Sequence, residues 1–410
     1  MKVVHVVLNY YPSVGGTQWL FQNISERLVK SYGDDVTVLT VNSYYGPEKK
    51  NYKKIELASE IYNGVNIERF DFTRWHLPLF RFVYKVLKRI AGTESEWLLK
   101  QIYGPVSKTL NKRLNTIEAD IVCGSSSSYA FMQYPLHRKK VIKPFVFMGA
   151  IHFSENISSK NISSGVLKAI RQSEMYIANT YFEKSRLIEL GVDDKKIVVI
   201  GCGVDEELFQ QTDTSLRDKL HINNDDIVFG FVGRHEPLKN IDELIKAFDK
   251  VYAANKKTKL IIAGARSWYT EELQILVNSS GSVNNIHLLT NISEAEKISL
   301  YHSADVFVSA SASESFGIVF IEAWACKKPV IGANVGAISC VIDDKKNGLL
   351  FTPHNISSLT QQMNLLATNK NLRKEMGEAG FVKMQQQYTW SVITAKYRNV
   401  YSQAIENFKL

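Results

Sequence analysis

Short β-branched runs alternate with amphipathic stretches along almost the whole sequence, and this alternation constrains the fold more than any other feature. Strand, helix, strand in regular succession is the pattern of a parallel sheet covered by helices on both faces, so the fold class is α/β. In the first half the strand candidates are Val3–Leu8, Val36–Val41, Val65–Phe70, Asp120–Cys123, Phe145–Met148, Met175–Ala178 and Ile197–Ile200. The second half offers Ile227–Val232, Lys259–Ala263, Asn285–Leu289, Asp305–Ser309, Pro329–Ile331 and Gly348–Phe351. Between the two series lies the charged, turn-rich segment Gly201–Asp226, which places a linker and implies two sheets. The length agrees: 410 residues exceed one ordinary core, at roughly 100–200 residues per domain.

Composition removes whole classes. With 45% hydrophobic and 22% charged residues and no low-complexity tract, the chain is neither disordered nor fibrous. The run Val3–Leu8 is too short for a signal-peptide core and reads as a buried first strand, and no apolar stretch approaches the 18 or so residues of a membrane span. Cys123, Cys202, Cys326 and Cys340 show neither zinc-ligand spacing nor a C-x-x-C pair, so a reducing cytoplasm is the expected location. The net charge of +9 favours anionic partners, without choosing among phosphorylated ligands, nucleic acid and acidic lipid.

Open parallel sheets bind ligands beyond the carboxyl ends of their strands, where loops and helix starts converge. After Ile227–Val232 come Arg234 and, just before a helix, Lys239: two cations placed to neutralise a diphosphate leaving group. Taken alone, the pair also reads as solvated loop charges. After Asp305–Ser309 the loop carries Glu314, with its carboxylate free for sugar hydroxyls, and then Phe316, Gly317 and Ile318, whose amides open a helix. Glu322 follows within that helix among Val319, Phe320, Ile321, Ala323, Trp324 and Ala325, so it is expected to be buried, to need a partner and to accept ribose hydroxyls. In the first half, Gly15 and Gly16 let backbone approach a phosphate or make a tight turn, and His152 after Phe145–Met148 is either a cleft residue or a packed one.

In this order, these residues resemble the family-four retaining glycosyltransferases of the GT-B fold. The resemblance rests on Phe231-Val232-Gly233-Arg234 with Leu238-Lys239-Asn240, on Leu260-Ile261-Ile262-Ala263-Gly264, and on Glu314 and Glu322 around Phe316-Gly317. Asn347-Gly348-Leu349-Leu350 and Tyr388-Thr389-Trp390-Ser391 extend it. It implies two facing Rossmann-like domains with a cleft between them, residues 1–205 on the acceptor side and 206–390 binding the nucleotide sugar, and a C-terminal crossover helix at 391–410 packing back on the first. It further implies that Arg234 and Lys239 bind the donor diphosphate, Glu322 the ribose and Glu314 the transferred sugar, aided by the amides of Phe316–Ile318. Gly15 and Gly16 would line the phosphate side and His152 would contact the sugar near the reacting carbon. The donor would be a nucleoside-diphosphate sugar and the acceptor a saccharide or lipid-linked saccharide of a bacterial-type surface glycan; no cofactor, metal or nucleic acid is expected. Two departures, Cys202 where the family often has Asn and Cys340 where it often has Glu, leave the acceptor side open.

A nicotinamide enzyme would show G-x-G-x-x-G after a strand, but Gly201-Cys202-Gly203 has Glu206 at the third position. An epimerase, a phosphorylase or a silent nucleotide-sugar-binding subunit on the same fold stays open. Between Arg74 and Arg113 nine basic residues face only two acidic ones, interleaved with aromatic and aliphatic side chains. Phe80, Val83, Tyr84 and Leu87 fall at helical spacing there, which points to an anionic membrane surface as a partner or to a helix covering the sheet.

Overall fold

The computed structural model of the protein describes residues 1–13, 15–44, 53–72, 77–92, 95–125, 143–149, 151, 153, 162, 164–211 and 213–409. The chain divides into two compact units, one comprising Met1–Ile151, Asn156–Gly201 and Ile393–Leu410, the other chiefly Cys202–Val392.

The first unit is built on an eight-stranded sheet ordered β3-β4-β2-β1-β5-β6-β7-β8. Its strands are β1 (Lys2–Val6), β2 (Asp35–Val41), β3 (Ser59–Tyr62), β4 (Val65–Phe70), β5 (Ile121–Ser125), β6 (Phe145–Met148), β7 (Met175–Ala178) and β8 (Ile197–Val199). All pairings are parallel except β3 with β4. The helices between them are α1 (Gly16–Tyr32), α2 (Leu77–Ala91), α3 (Glu96–Tyr103), α4 (Lys108–Thr116), α5 (Ser164–Gln172) and α6 (Tyr181–Glu189). Strands β5, β6 and β7 are buried at every residue, as expected where helices cover both faces of a parallel sheet.

Strand β3 has no counterpart among the strand candidates, whereas β4 coincides with the candidate Val65–Phe70 and pairs with β3 as a hairpin. Asn63 and Gly64 form its two-residue turn, both at positive φ (+49° and +81°), the geometry that matches the twist of paired strands. Ser59–Tyr62 alternates exposed and half-buried residues at the sheet edge, so it lacks the apolar run by which the other strands announce themselves. Helix α2 also departs from expectation. Phe80, Val83 and Tyr84 are half-buried, with Phe80 edge-on to Trp97 of α3 at 5.2 Å, and so belong to the packed side. The outward stripe is Leu79, Phe82, Val86 and Ile90, with Phe82 66% and Ile90 79% exposed, and of the expected residues only Leu87 is exposed beside it. Arg74 lies outside the described residues.

The second unit holds a six-stranded, all-parallel sheet ordered β11-β10-β9-β12-β13-β14. Its elements run α7 (Glu206–Gln210), α8 (Ser215–Lys219), β9 (Ile227–Val232), α9 (Ile241–Ala254), β10 (Thr258–Gly264), α10 (Tyr269–Asn278), β11 (Ile286–Thr290), α11 (Glu294–Ser303) and β12 (Val306–Ser309). Then come α12 (Ile318–Ala325), β13 (Val330–Ala333), α13 (Ile338–Val341), β14 (Gly348–Phe351), α14 (Ile356–Thr368) and α15 (Lys370–Gln387). Leu216, Ile222, Val228, Ile261, Ala263, Leu300 and Ala304 pack into one core cluster, so α8 and α11 are seated on β9 and β10.

The final helix, α16 (Trp390–Lys409), contributes its residues from Ile393 onward to the first unit. There Tyr401 Oη lies 3.0 Å from His5 Nε2, while His5 Nδ1 meets Ser25 Oγ at 2.7 Å. Burial pushes the His5 pKa down to about 3, so the one polar residue in the apolar run of β1 is a neutral ring held from two sides. Arg398 donates to Asp34 at 2.9 Å, and the N-terminal ammonium reaches the same carboxylate at 2.6 Å.

Candidate functional site

In the second unit the chain runs outward from β9 to β10 and β11, then returns to lay β12 against the other side of β9. That reversal is a topological switch point, the place at which open α/β sheets bind ligands beyond the carboxyl ends of their strands. The loops concerned are 233–240 and 310–317.

Pro237–Lys239 forms one tight turn ending at Asn240, which holds a left-handed φ of +49°, a conformation asparagine tolerates better than most residues. Asn240 Nδ2 donates to Ala310 O at 3.1 Å and Ser311 Oγ to Leu238 O at 3.4 Å, so the two loops are stitched together. Across this seam Lys239 Nζ donates to Glu314 Oε1 at 2.5 Å, with the side chains only 18% and 15% exposed. The Glu314 carboxylate, expected from the sequence to be free, is therefore already engaged. Because β9 and β12 are neighbours, residues 75 apart in sequence meet as one ion pair. Arg234 is more open: Nη1 pairs with Glu236 Oε1 at 2.8 Å and the side chain is 69% exposed.

Phe316 is buried, edge-on to Tyr388 at 5.4 Å. Gly317 then turns the chain into α12 with φ +95°, and a Cβ there would also meet the Phe320 ring at 2.7 Å, so both backbone and space require glycine. No side chain caps the α12 start, which leaves Ile318 at the head of the helix.

Glu322 is 5% exposed, and the partner its burial calls for comes from α11. Lys297 Nζ donates to Glu322 Oε1 at 2.8 Å and Tyr301 Oη to Oε2 at 2.7 Å. Burial works against the Lys297 charge, but Glu322 and Glu294 more than offset it, so its pKa lies above the ordinary lysine value. Burial, with Glu322 adding to it, holds the Tyr301 phenol well above its usual range. Neither residue was signalled by the sequence: the charges along α11 look like those of a solvated helix face.

In the first unit, Gly15 caps α1 and Gly16 begins it, beyond the carboxyl end of β1. A Cβ on Gly16 would meet nothing within 4 Å, so the fold itself does not require glycine there. His152 lies outside the described residues. Cys202 is buried and Cys340 half-buried.

A switch-point ion pair, a second cation in the same loop and a buried, hydrogen-bonded carboxylate on the helix that follows all lie in the second of two α/β units, each built on a largely parallel sheet. Comparisons sharpen this. Residues 14–208 match the family described as Glycosyltransferase Family 4, and residues 212–383 match Glycosyl transferases group 1. A D-inositol 3-phosphate glycosyltransferase of Catenulispora acidiphila is 29% identical over 252 residues, 59% of this chain and 59% of that protein. The chain thus spans less than two thirds of the length of that relative. An uncharacterized glycosyltransferase of Methanocaldococcus jannaschii is 27% identical over 96% of both chains. The crystal structure of HepE from Anabaena in complex with UDP has TM-score 0.73 at 18% identity, covering 98% of this chain and 100% of that one. The chain belongs to the family-four glycosyltransferases of the GT-B fold.

Proposed function

We propose that the protein transfers a sugar from a nucleoside-diphosphate donor to a saccharide or lipid-linked saccharide acceptor in surface-glycan assembly, with retention of anomeric configuration and without a metal ion. The observation that carries this is the Lys239–Glu314 pair at the switch point, with Glu322 on the helix that follows. In this reading Lys239 and Arg234 face the diphosphate, whose negative charge grows as the glycosidic bond breaks, and fixed cations there stabilise the transition state more than the ground state. Glu314 holds the transferred sugar, the amides at Phe316–Ile318 help to orient it, and Glu322 takes the ribose. HepE has been solved with UDP and with UDP-glucose, which makes uridine donors the first to try.

The test needs no acceptor. Incubated with a panel of nucleotide sugars in EDTA, the protein is expected to release nucleoside diphosphate slowly from at least one of them, at the same rate as without chelator. No Asp-x-Asp occurs in the chain, and the two cations supply the charge a metal would otherwise bring. Release from no donor, or release that appears only on adding Mn²⁺, would count against the proposal.

The acceptor side is proposed to dock on an anionic membrane through α2. Among the described residues no helix is long and apolar enough to cross a membrane. The outward stripe Leu79, Phe82, Val86 and Ile90 is flanked by exposed Arg81, Lys85, Lys88 and Arg89, the pattern of a helix lying in an interface. Each cation near such a surface contributes about 1 kcal/mol. Wild type should sediment with vesicles of anionic lipid at low salt and be released at high salt, whereas Phe82→Ser with Ile90→Ser, or Arg81→Glu with Lys85→Glu, should stay in the supernatant. Equal sedimentation of all three proteins would rule the docking out.

A further inference from the structure

None of these roles accounts for Lys297, a half-buried cation whose side chain is 19% exposed. It stands on the first turns of α11, four residues before Tyr301, so both project from one helix face onto the carboxylate of Glu322 in α12. Its ammonium is held on three sides: by Glu322 Oε1 at 2.8 Å, by Glu294 Oε1 at 2.8 Å, and by the Phe209 ring of α7 at 5.4 Å. An ammonium has three donors, and a cation within about 6 Å of a ring face is attracted to it. With its three sides engaged, Lys297 is not positioned to bind a ligand itself and acts through Glu322.

An ionised carboxylate has about four lone-pair sites. Lys297 occupies one on Oε1 and Tyr301 one on Oε2, which leaves one on each oxygen. A vicinal diol supplies two hydroxyl donors with matching spacing. We propose that Lys297 is a positioning residue for nucleotide recognition: with Tyr301 it clamps the buried Glu322 carboxylate so that its two remaining acceptor sites take the 2′- and 3′-hydroxyls of the donor ribose. This rests on the reading of Glu322 as the ribose ligand. Without the cation, a carboxylate that is 5% exposed keeps only the phenol as partner and turns to find another. That removes the oriented acceptor.

The experiment compares binding of UDP and 2′,3′-dideoxy-UDP, with the GDP and ADP pairs measured alongside, by calorimetry. Wild type should prefer the ribonucleotide about 10- to 100-fold, the size expected for hydrogen bonds to a charged acceptor. Glu322→Ala should abolish the preference, which tests the ribose reading. Lys297→Met and Lys297→Gln should reduce it to less than about threefold by the same mechanism, and Lys297→Arg should restore most of it. Because the preference is a ratio of two ligands on one sample, a partly unfolded preparation does not imitate the effect. If Glu322→Ala loses the preference while Lys297→Met and Lys297→Gln keep it, the role of Lys297 is overturned and the ribose reading stands. If Glu322→Ala keeps it, both are overturned.

Discussion

Replacing Lys239 with alanine is expected to lower kcat for sugar transfer by about 10²–10³-fold, the effect of deleting one contact to developing negative charge, about 2.7–4 kcal/mol. The geometry adds a second effect. Lys239 is the partner of Glu314, whose side chain is only 15% exposed, so the truncation leaves a sheltered carboxylate beside the site proposed for the diphosphate. Two like charges then face each other, and KM for the donor should rise as well. Lys239→Ala with Glu314→Gln removes both charges together, and its cost should fall short of the sum of the single changes because the two residues act as one unit. Lys239→Arg should recover only part of the rate, since a planar guanidinium does not fit a site shaped for a point charge. Initial rates across donor concentrations, with thermal unfolding of each variant, separate these effects. A kcat within threefold of wild type for Lys239→Ala would remove Lys239 from the leaving-group role.

Much of this architecture is legible in the amino-acid sequence, and the reasons are local. The runs Ile227–Val232 and Phe145–Met148 are strands because continuous β-branched and aromatic residues suit a sheet buried on both faces. The burial of Glu322 follows from the apolar residues around it on the same helix. What escapes the sequence is what depends on strand order. Lys239 and Glu314 can each be assigned to a loop, but that the loops touch follows from β9 lying beside β12, which spacing along the chain does not encode. Lys297 escapes for the same reason: it is 25 residues from Glu322, on a helix whose charges suit solvent equally well. Strand β3 is a different kind of miss, since the Asn63-Gly64 turn that joins it to β4 is a strong local signal. The half-exposed alternation of Ser59–Tyr62 concealed it.

Gly264→Ala should be the most damaging of the conservative changes, because it acts on the backbone that presents Arg234. Gly264 closes β10, and its carbonyl accepts from Asn291 N at 2.8 Å. Its φ is not in the left-handed region, so conformational strain is not the issue. Space is: a Cβ there would overlap the carbonyl of Gly233, the first residue after β9, and approach His235 Cδ2 at 3.3 Å. A backbone carbonyl cannot rotate away as a flexible side chain does. Gly233 is also tied to β10, its N–H donating to Ala263 O at 2.9 Å, so relief requires prising β9 and β10 apart at their carboxyl ends. Overpacking of this kind costs about 3 kcal/mol or more. For a unit of this size that corresponds to a drop of roughly 6–12 °C in the unfolding midpoint. The displaced Gly233 carries Arg234 and the loop to Lys239 with it, so nucleotide affinity measured well below the midpoint should fall too. Gly281→Ala is the control, since a Cβ there meets nothing within 4 Å and the change should shift stability by no more than about 0.5 kcal/mol. Calorimetric melting of the two variants beside wild type decides the matter. If Gly264→Ala melts within a degree of Gly281→Ala and binds nucleotide as tightly, the close approach of β10 to Gly233 does not set the geometry of the site.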